Sequence, residues 1–194
     1  MNFLAHLFLS CDDEDLLVGN MIADFIRNKE VQNYSESVQK GIRLHRQIDS
    51  YTDNHPIVRL GTKRLQPTHR KYAPVVIDVL YDYLLVKNWS RYSGQELSEF
   101  TKYVYEILQR RIGEMPNKLQ QRLPGMIAGD WLTAYGTIEG LSFVFSKMDQ
   151  RARFVANFAE APKNLLLGYE NYNEEFNDFF PDVLQFVNEN CGCD

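Results

Sequence analysis

The chain has 194 residues, 44% apolar and 24% charged, a composition that excludes disordered, fibrous and membrane-spanning classes and suits one globular domain. Lys plus Arg number 21 against 26 Asp plus Glu, a net charge of −5, which argues against a general nucleic-acid binder. Three cysteines, two of them in the C-x-C of Cys191 and Cys193, argue against a disulfide framework and for a reducing compartment.

The opening MNFLAHLFL is apolar, but it lacks a basic leader and runs into Cys11-Asp-Asp-Glu-Asp15 without a small-residue cleavage site. It reads as part of the folded protein, and the expected location is the cytoplasm. No run reaches the roughly 18 apolar residues of a membrane span.

In chain order, residues 12–28 carry Leu16, Leu17, Met21 and Phe25 at helical spacing after an acidic start, which complements a helix dipole. Residues 35–54 predict a second helix, ended by His55-Pro56. The run 73–89 opens with Pro74 and is rich in Val and Leu. It reads as a strand by composition but as a helix by length. Residues 95–112 are amphipathic. Shorter helices are expected over 125–134, 137–148, 150–160 and 164–172, and a last one from near Pro181 to 190. Nothing reads as a hairpin or a repeat. The expected fold class is all-α: a compact multi-helix single domain over residues 1–194, with the chemistry-bearing motifs in 1–90 and a helical remainder over 91–194.

The charge is uneven. Residues 40–91 hold ten bases against four acids, a net of +6 within a protein of −5, so the rest sums to −11. No base follows Lys163, where seven acids accumulate. The basic stretch is either a docking face for an anionic substrate or partner, or simply a solvated face.

The informative signal is polar residues on apolar helix faces. Val38, Ile42, His45 and Asp49 fall on one stripe, and Asp53 continues it. Val75, Asp78, Val79, Asp82 and Val86 form a second, and Leu17, Asn20, Met21 and Asp24 a third. His6 sits within Leu4-Ala5-His6-Leu7-Phe8. Taken singly, His6 reads as well as a core histidine, Asp24 as a partner of Arg27 or Arg43, His55 as a helix-end residue and His69 as surface. Taken together, five Asp and two His on inward faces need a compensating cation, since buried unpaired charge is expensive. Imidazole with carboxylate suits Mn, Fe, Zn or Mg. There is no Gly-rich phosphate loop, no G-x-S-x-G, no H-E-x-x-H and no paired C-x-x-C. The aromatics of the acidic C-terminal part, such as Tyr172, Phe176 and Phe180, read as core or lid packing.

These residues fall in MNFLAH (1–6), GNMIADF (19–25), GIRLHRQID (41–49), TDNHP (52–56) and DVLYDYLLVKNW (78–89). In that order and spacing they resemble the acyl carrier protein phosphodiesterase family, over roughly the first half of the chain. The resemblance implies hydrolysis of the phosphodiester joining 4′-phosphopantetheine to a serine of holo-acyl carrier protein. It also implies a divalent ion, manganese first with Mg²⁺ or Fe²⁺ open, and a distant kinship with helical HD-type metal phosphohydrolases. On this reading Asp24, His45, Asp49, Asp78 and Asp82 hold the metal, and His6 or Asp53 passes a proton to the leaving group. Arg46 clamps a phosphate oxygen. Arg43, Arg59, Lys63, Arg64, Arg70 and Lys71 meet the carrier protein. Familiar members read Asp-His where this chain has Asp82-Tyr83, which puts the ligand scheme in question; Tyr83 can hydrogen-bond a phosphate but is a poor metal ligand. Two other readings are a metal phosphohydrolase acting on nucleotides or another small phosphodiester, and a non-catalytic binder of the carrier protein.

Overall fold

The computed structural model describes residues 1–191. Among them are twelve α-helices and no strand: α1 (Phe3–Phe8), α2 (Glu14–Ile22), α3 (Glu36–Asn54), α4 (Pro56–His69), α5 (Ala73–Lys87), α6 (Trp89–Tyr92), α7 (Leu97–Arg110), α8 (Asn117–Ala128), α9 (Trp131–Ala134), α10 (Ile138–Asp149), α11 (Ala161–Leu167) and α12 (Tyr169–Cys191). The all-α expectation holds.

Local chemistry sets several starts. The Asp13 carboxylate accepts from the Asp15 and Leu16 amides at the head of α2, and Ser35 and Thr137 cap α3 and α10 in the same way. The Val- and Leu-rich run is α5, with ten buried residues, among them Val76, Ile77, Leu80, Leu84 and Leu85 at 1% exposure or less. A helix apolar on nearly every side belongs inside, which resolves the strand-or-helix ambiguity.

Two glycines bring α2 and α3 together. A Cβ built on Gly41 would lie 2.5 Å from the Leu16 carbonyl oxygen and 2.8 Å from the Gly19 Cα. Only bare backbone allows this crossing, and it fixes His45, one turn after Gly41, against the end of α2. α12 lays Phe176, Phe179 and Phe180 against Tyr81, Tyr92 and Phe8, and Tyr172 is buried too, so these C-terminal aromatics are core.

The second helix does end at Asn54, before His55-Pro56, and Pro56 then opens α4 at its first turn. Three expectations are corrected. Residues 150–160 are mostly irregular, with a short 3₁₀ turn at Phe158–Glu160 and a left-handed Asn157. The last helix begins at Tyr169 and runs through Pro181; tertiary packing of its aromatic face outweighs the lost amide. His69 is fully buried, with ring nitrogens 3.0 Å from the Ala156 carbonyl and 2.8 Å from Asn164 Oδ1. His55 is a helix-end residue as expected, joining α3 to α4 and meeting Asp182 at 3.2 Å. Cys11 is disulfide-bonded and Cys191 carries a free thiol; Cys193 lies outside the described residues. Among the described residues no helix is long and apolar enough to cross a membrane.

Candidate metal centre and substrate cleft

α1 is only six residues long, too short to persist alone, and it is fastened at both ends. The Asp82 carboxylate, from the middle of α5, accepts from the Leu4 amide at 3.0 Å and the Ala5 amide at 3.3 Å. At the other end the Ser10 hydroxyl donates to the His6 carbonyl, and the Asn20 amide donates to Ser10 Oγ. His6 is thereby held at 2% exposure.

Its ring lies flat on that of His45, centroids 3.8 Å apart. His6 Nε2 is 3.0 Å from Asp49 Oδ1, and His45 Nε2 is 3.3 Å from Asp49 Oδ2 and from Asp24 Oδ1. One donor atom from each of His6, His45 and Asp49 falls within 4.8 Å of the others. The Met1 ammonium is buried beside them, 3.2 Å from Asp49 Oδ1 and from Asp78 Oδ1.

The electrostatics follow from this crowding. Burial dominates at His6 and pulls it down to about 4. Burial also opposes charge on His45, but the hydrogen bonds to Asp24 and Asp49 outweigh it and hold the ring up at about 9. Asp49 resists burial and stays far below the usual carboxylate range, because both imidazoles and the Met1 ammonium face it. His45 likewise holds Asp24 low, whereas burial raises Asp78. The ammonium, despite burial, is held up at about 10 by Asp78 and Asp49.

A metal ion fits this set. Imidazole nitrogen and carboxylate oxygen of His6, His45 and Asp49 converge, a donor set suited to a divalent cation. The cluster opens on a cleft of about 700 Å³ whose lining includes Asp24, Asp49, Asp53 and Asp78. Its remaining lining comes largely from the second half of the chain, through Arg122, Met126, Trp131, Phe143, Lys147 and Arg151. Spacing gave no sign of these residues, since they lie on separate helices with no shared polar stripe.

The predicted residues thus part company. His6, His45, Asp49 and Asp24 come together, Asp78 joins through the Met1 ammonium, and Asp53 lies exposed along the same cleft. Asp82 does not reach the cleft: both its oxygens are committed to α1, and it is fully buried. Tyr83 is also outside the cleft, buried under the Lys87 ammonium, so the departure from the family pattern falls away from the site. Arg46 is exposed and lines none of it. Of the basic segment, Arg64 forms a fork with Glu175 and lies over Tyr172. Arg59 is bonded to Asn54 and to the Asp53 carbonyl, and Arg43 lines a separate depression with Lys40 and Asn190. Lys63 is exposed, Arg70 caps α4 at positive φ, and Lys71 packs over Phe154.

The model of the acyl carrier protein phosphodiesterase family matches residues 1–183. The chain belongs to that family. Curated relatives named acyl carrier protein phosphodiesterase include one from Serratia proteamaculans, 31% identical over 95% of this chain and 96% of the relative. One from Escherichia coli O6:H1 is 31% identical with the same coverage, and one from Pectobacterium atrosepticum is 28% identical over 96% and 97%. The match therefore extends well past the first 90 residues, where the motifs are concentrated. No solved structure matches, and the distant likeness to HD-type phosphohydrolases rests on the sequence resemblance alone.

Proposed function

We propose that the chain is a metal-dependent phosphodiesterase that hydrolyses the link between 4′-phosphopantetheine and the serine of holo-acyl carrier protein. The observation that carries this reading is the convergence of His6, His45, Asp49 and Asp24 beside a cleft large enough for a linear arm, in a member of this family. On this reading His6, His45, Asp49 and Asp24 hold the ion, with Asp78 alongside, and manganese is the first choice. When bound, the ion supplies charge to stabilise the phosphoryl oxygens and a nucleophile at neutral pH.

The chain's own residues supply the rest. Asp53, exposed on the cleft and outside the cluster, is placed to pass a proton to the departing serine oxygen. The apolar lining excludes water from the arm. Asp82, Ser10 and Asn20 act on α1, and through it on His6. The expected unit of function is one domain spanning the whole chain, acting in the cytoplasm.

Intact-mass spectrometry tests the reading. Holo-acyl carrier protein is incubated with the purified chain, with and without Mn²⁺, beside an Asp49→Asn variant. Metal-dependent loss of the phosphopantetheine mass, absent in the variant, is the expected result. No loss with any divalent ion overturns the reading. Turnover of nucleotides instead would reassign the substrate, and binding without turnover would leave a carrier-protein binder.

A further inference from the structure

A phosphodiester is an anion, yet the acidic residues of the centre outnumber its bases, and Arg46 lies elsewhere. Three cationic side chains do line the cleft: Arg122 from α8, Lys147 from α10 and Arg151 just beyond it. Among the described residues none of the three is ion-paired, in contrast to Arg64, Arg110, Arg111 and Lys163, each tied to a carboxylate.

Two of the three are seated without being neutralised. The Arg122 guanidinium lies over the Phe25 ring, 5.9 Å from its centroid, and the Lys147 ammonium over Phe143 at 5.3 Å. Both rings line the same cleft. An aromatic face orients a cation and leaves its N–H donors free for an anion. Phe25 is itself fixed by stacking on Phe3, and it follows Asp24 directly in sequence. Arg122, half-buried, is therefore held in the cleft wall over the residue that follows Asp24.

We propose that Arg122 is the principal residue of an anion site in the cleft wall, assisted by Lys147 and Arg151, and that it takes the non-bridging oxygens of a phosphate group. A planar guanidinium suits two such oxygens at once, which a lysine ammonium does not. The choice of a phosphodiester as the natural ligand rests on the proposed function; the phosphate site itself does not.

The full-length chain would be titrated calorimetrically with inorganic phosphate, with Mn²⁺ and again with chelator, so the readout needs no turnover. Arg122→Gln is expected to weaken phosphate binding about tenfold or more in both conditions, while Arg122→Lys retains part of it. Phe25→Leu, which leaves the arginine but removes its seat, is expected to weaken binding about threefold. Arg46→Gln should match the parent. A phosphate affinity in Arg122→Gln within twofold of the parent, or an equal loss in Arg46→Gln, overturns the proposal. Because Arg122 has no ion pair to lose, its variants should keep the parent's unfolding transition. If phosphate binds through Arg122 but holo-acyl carrier protein is not cleaved, the site stands and the proposed function falls.

Discussion

His6 and His45 stack at 3.8 Å and both aim Nε2 at Asp49, one ring drawn from a six-residue helix and the other from the third turn of a long one. Two imidazolium rings in such contact repel, and the environment assigns them different states. His6 is held neutral near 4 by burial, and His45 is held charged near 9 by its carboxylates in spite of burial. A divalent ion in the same place relieves the crowding of carboxylates, as the proposed function requires.

The first prediction follows from that shared position. His6→Gln, His45→Gln and Asp49→Asn should each weaken Mn²⁺ binding by more than about 100-fold, the upper end of what outer partners contribute. Calorimetric titration reads this directly, and an affinity unchanged in His6→Gln would remove His6 from the ligand set.

Asp82 yields a pH prediction. Burial raises its carboxyl to about 7, against the pull of the Leu4 and Ala5 amides. In the unfolded chain the group titrates near 4. Between those values the folded state holds more protons, so this group's contribution to stability declines as pH rises from about 4 to 7. Asp82→Asn does not titrate, and it keeps one acceptor for α1. The variant should therefore gain stability relative to the parent across that window. Urea unfolding at pH 4.5 and 7 measures the difference; a constant gap, or one moving in the opposite direction, contradicts the assignment.

Arg64 belongs to the basic segment, yet it is tied to Glu175 of α12 and lies over Tyr172. Arg64→Glu sets two carboxylates face to face and should cost about 1 kcal/mol or more, with kcat/KM on holo-acyl carrier protein unchanged. Lys63→Glu, one residue away and exposed, should leave stability within about 0.5 kcal/mol. A drop in kcat/KM without loss of stability in Arg64→Glu would restore the segment as a docking face.

The centre was legible in sequence as far as helical periodicity reaches. The i,i+4 pair His45 and Asp49 shares a face in the register and shares a site in the fold. Asp78 and Asp82 have the same spacing but separate fates. Asp78 borders the cleft beside the Met1 ammonium, while one turn on Asp82 runs beneath α1. Periodicity gives the face of a helix; which neighbour covers each turn is decided by helix crossings, which no local pattern records. The cleft residues of α8 to α10 lay beyond reach for the same reason. His69 was misread because flanking Arg70 and Lys71 imply surface, whereas the partners that bury it, Ala156 and Asn164, are remote in sequence.

The α2–α3 crossing is the step on which the centre depends most, and it gives the last prediction. In Gly41→Ala the new methyl would meet backbone on the facing helix, at 2.5 Å from the Leu16 oxygen and 2.8 Å from the Leu16 Cα. Backbone cannot step aside as a side-chain tip can, so the helices must separate. The cost should exceed the 1–3 kcal/mol typical of overpacking, and His45 should be carried away from Asp24, with Mn²⁺ affinity lost alongside. Gly94 provides the control: nothing lies within 4 Å of a Cβ there, so Gly94→Ala should stay within about 0.5 kcal/mol of the parent. Paired urea melts and Mn²⁺ titrations of the two variants decide the matter. If Gly41→Ala unfolds and binds metal like Gly94→Ala, the close crossing is not what positions His45.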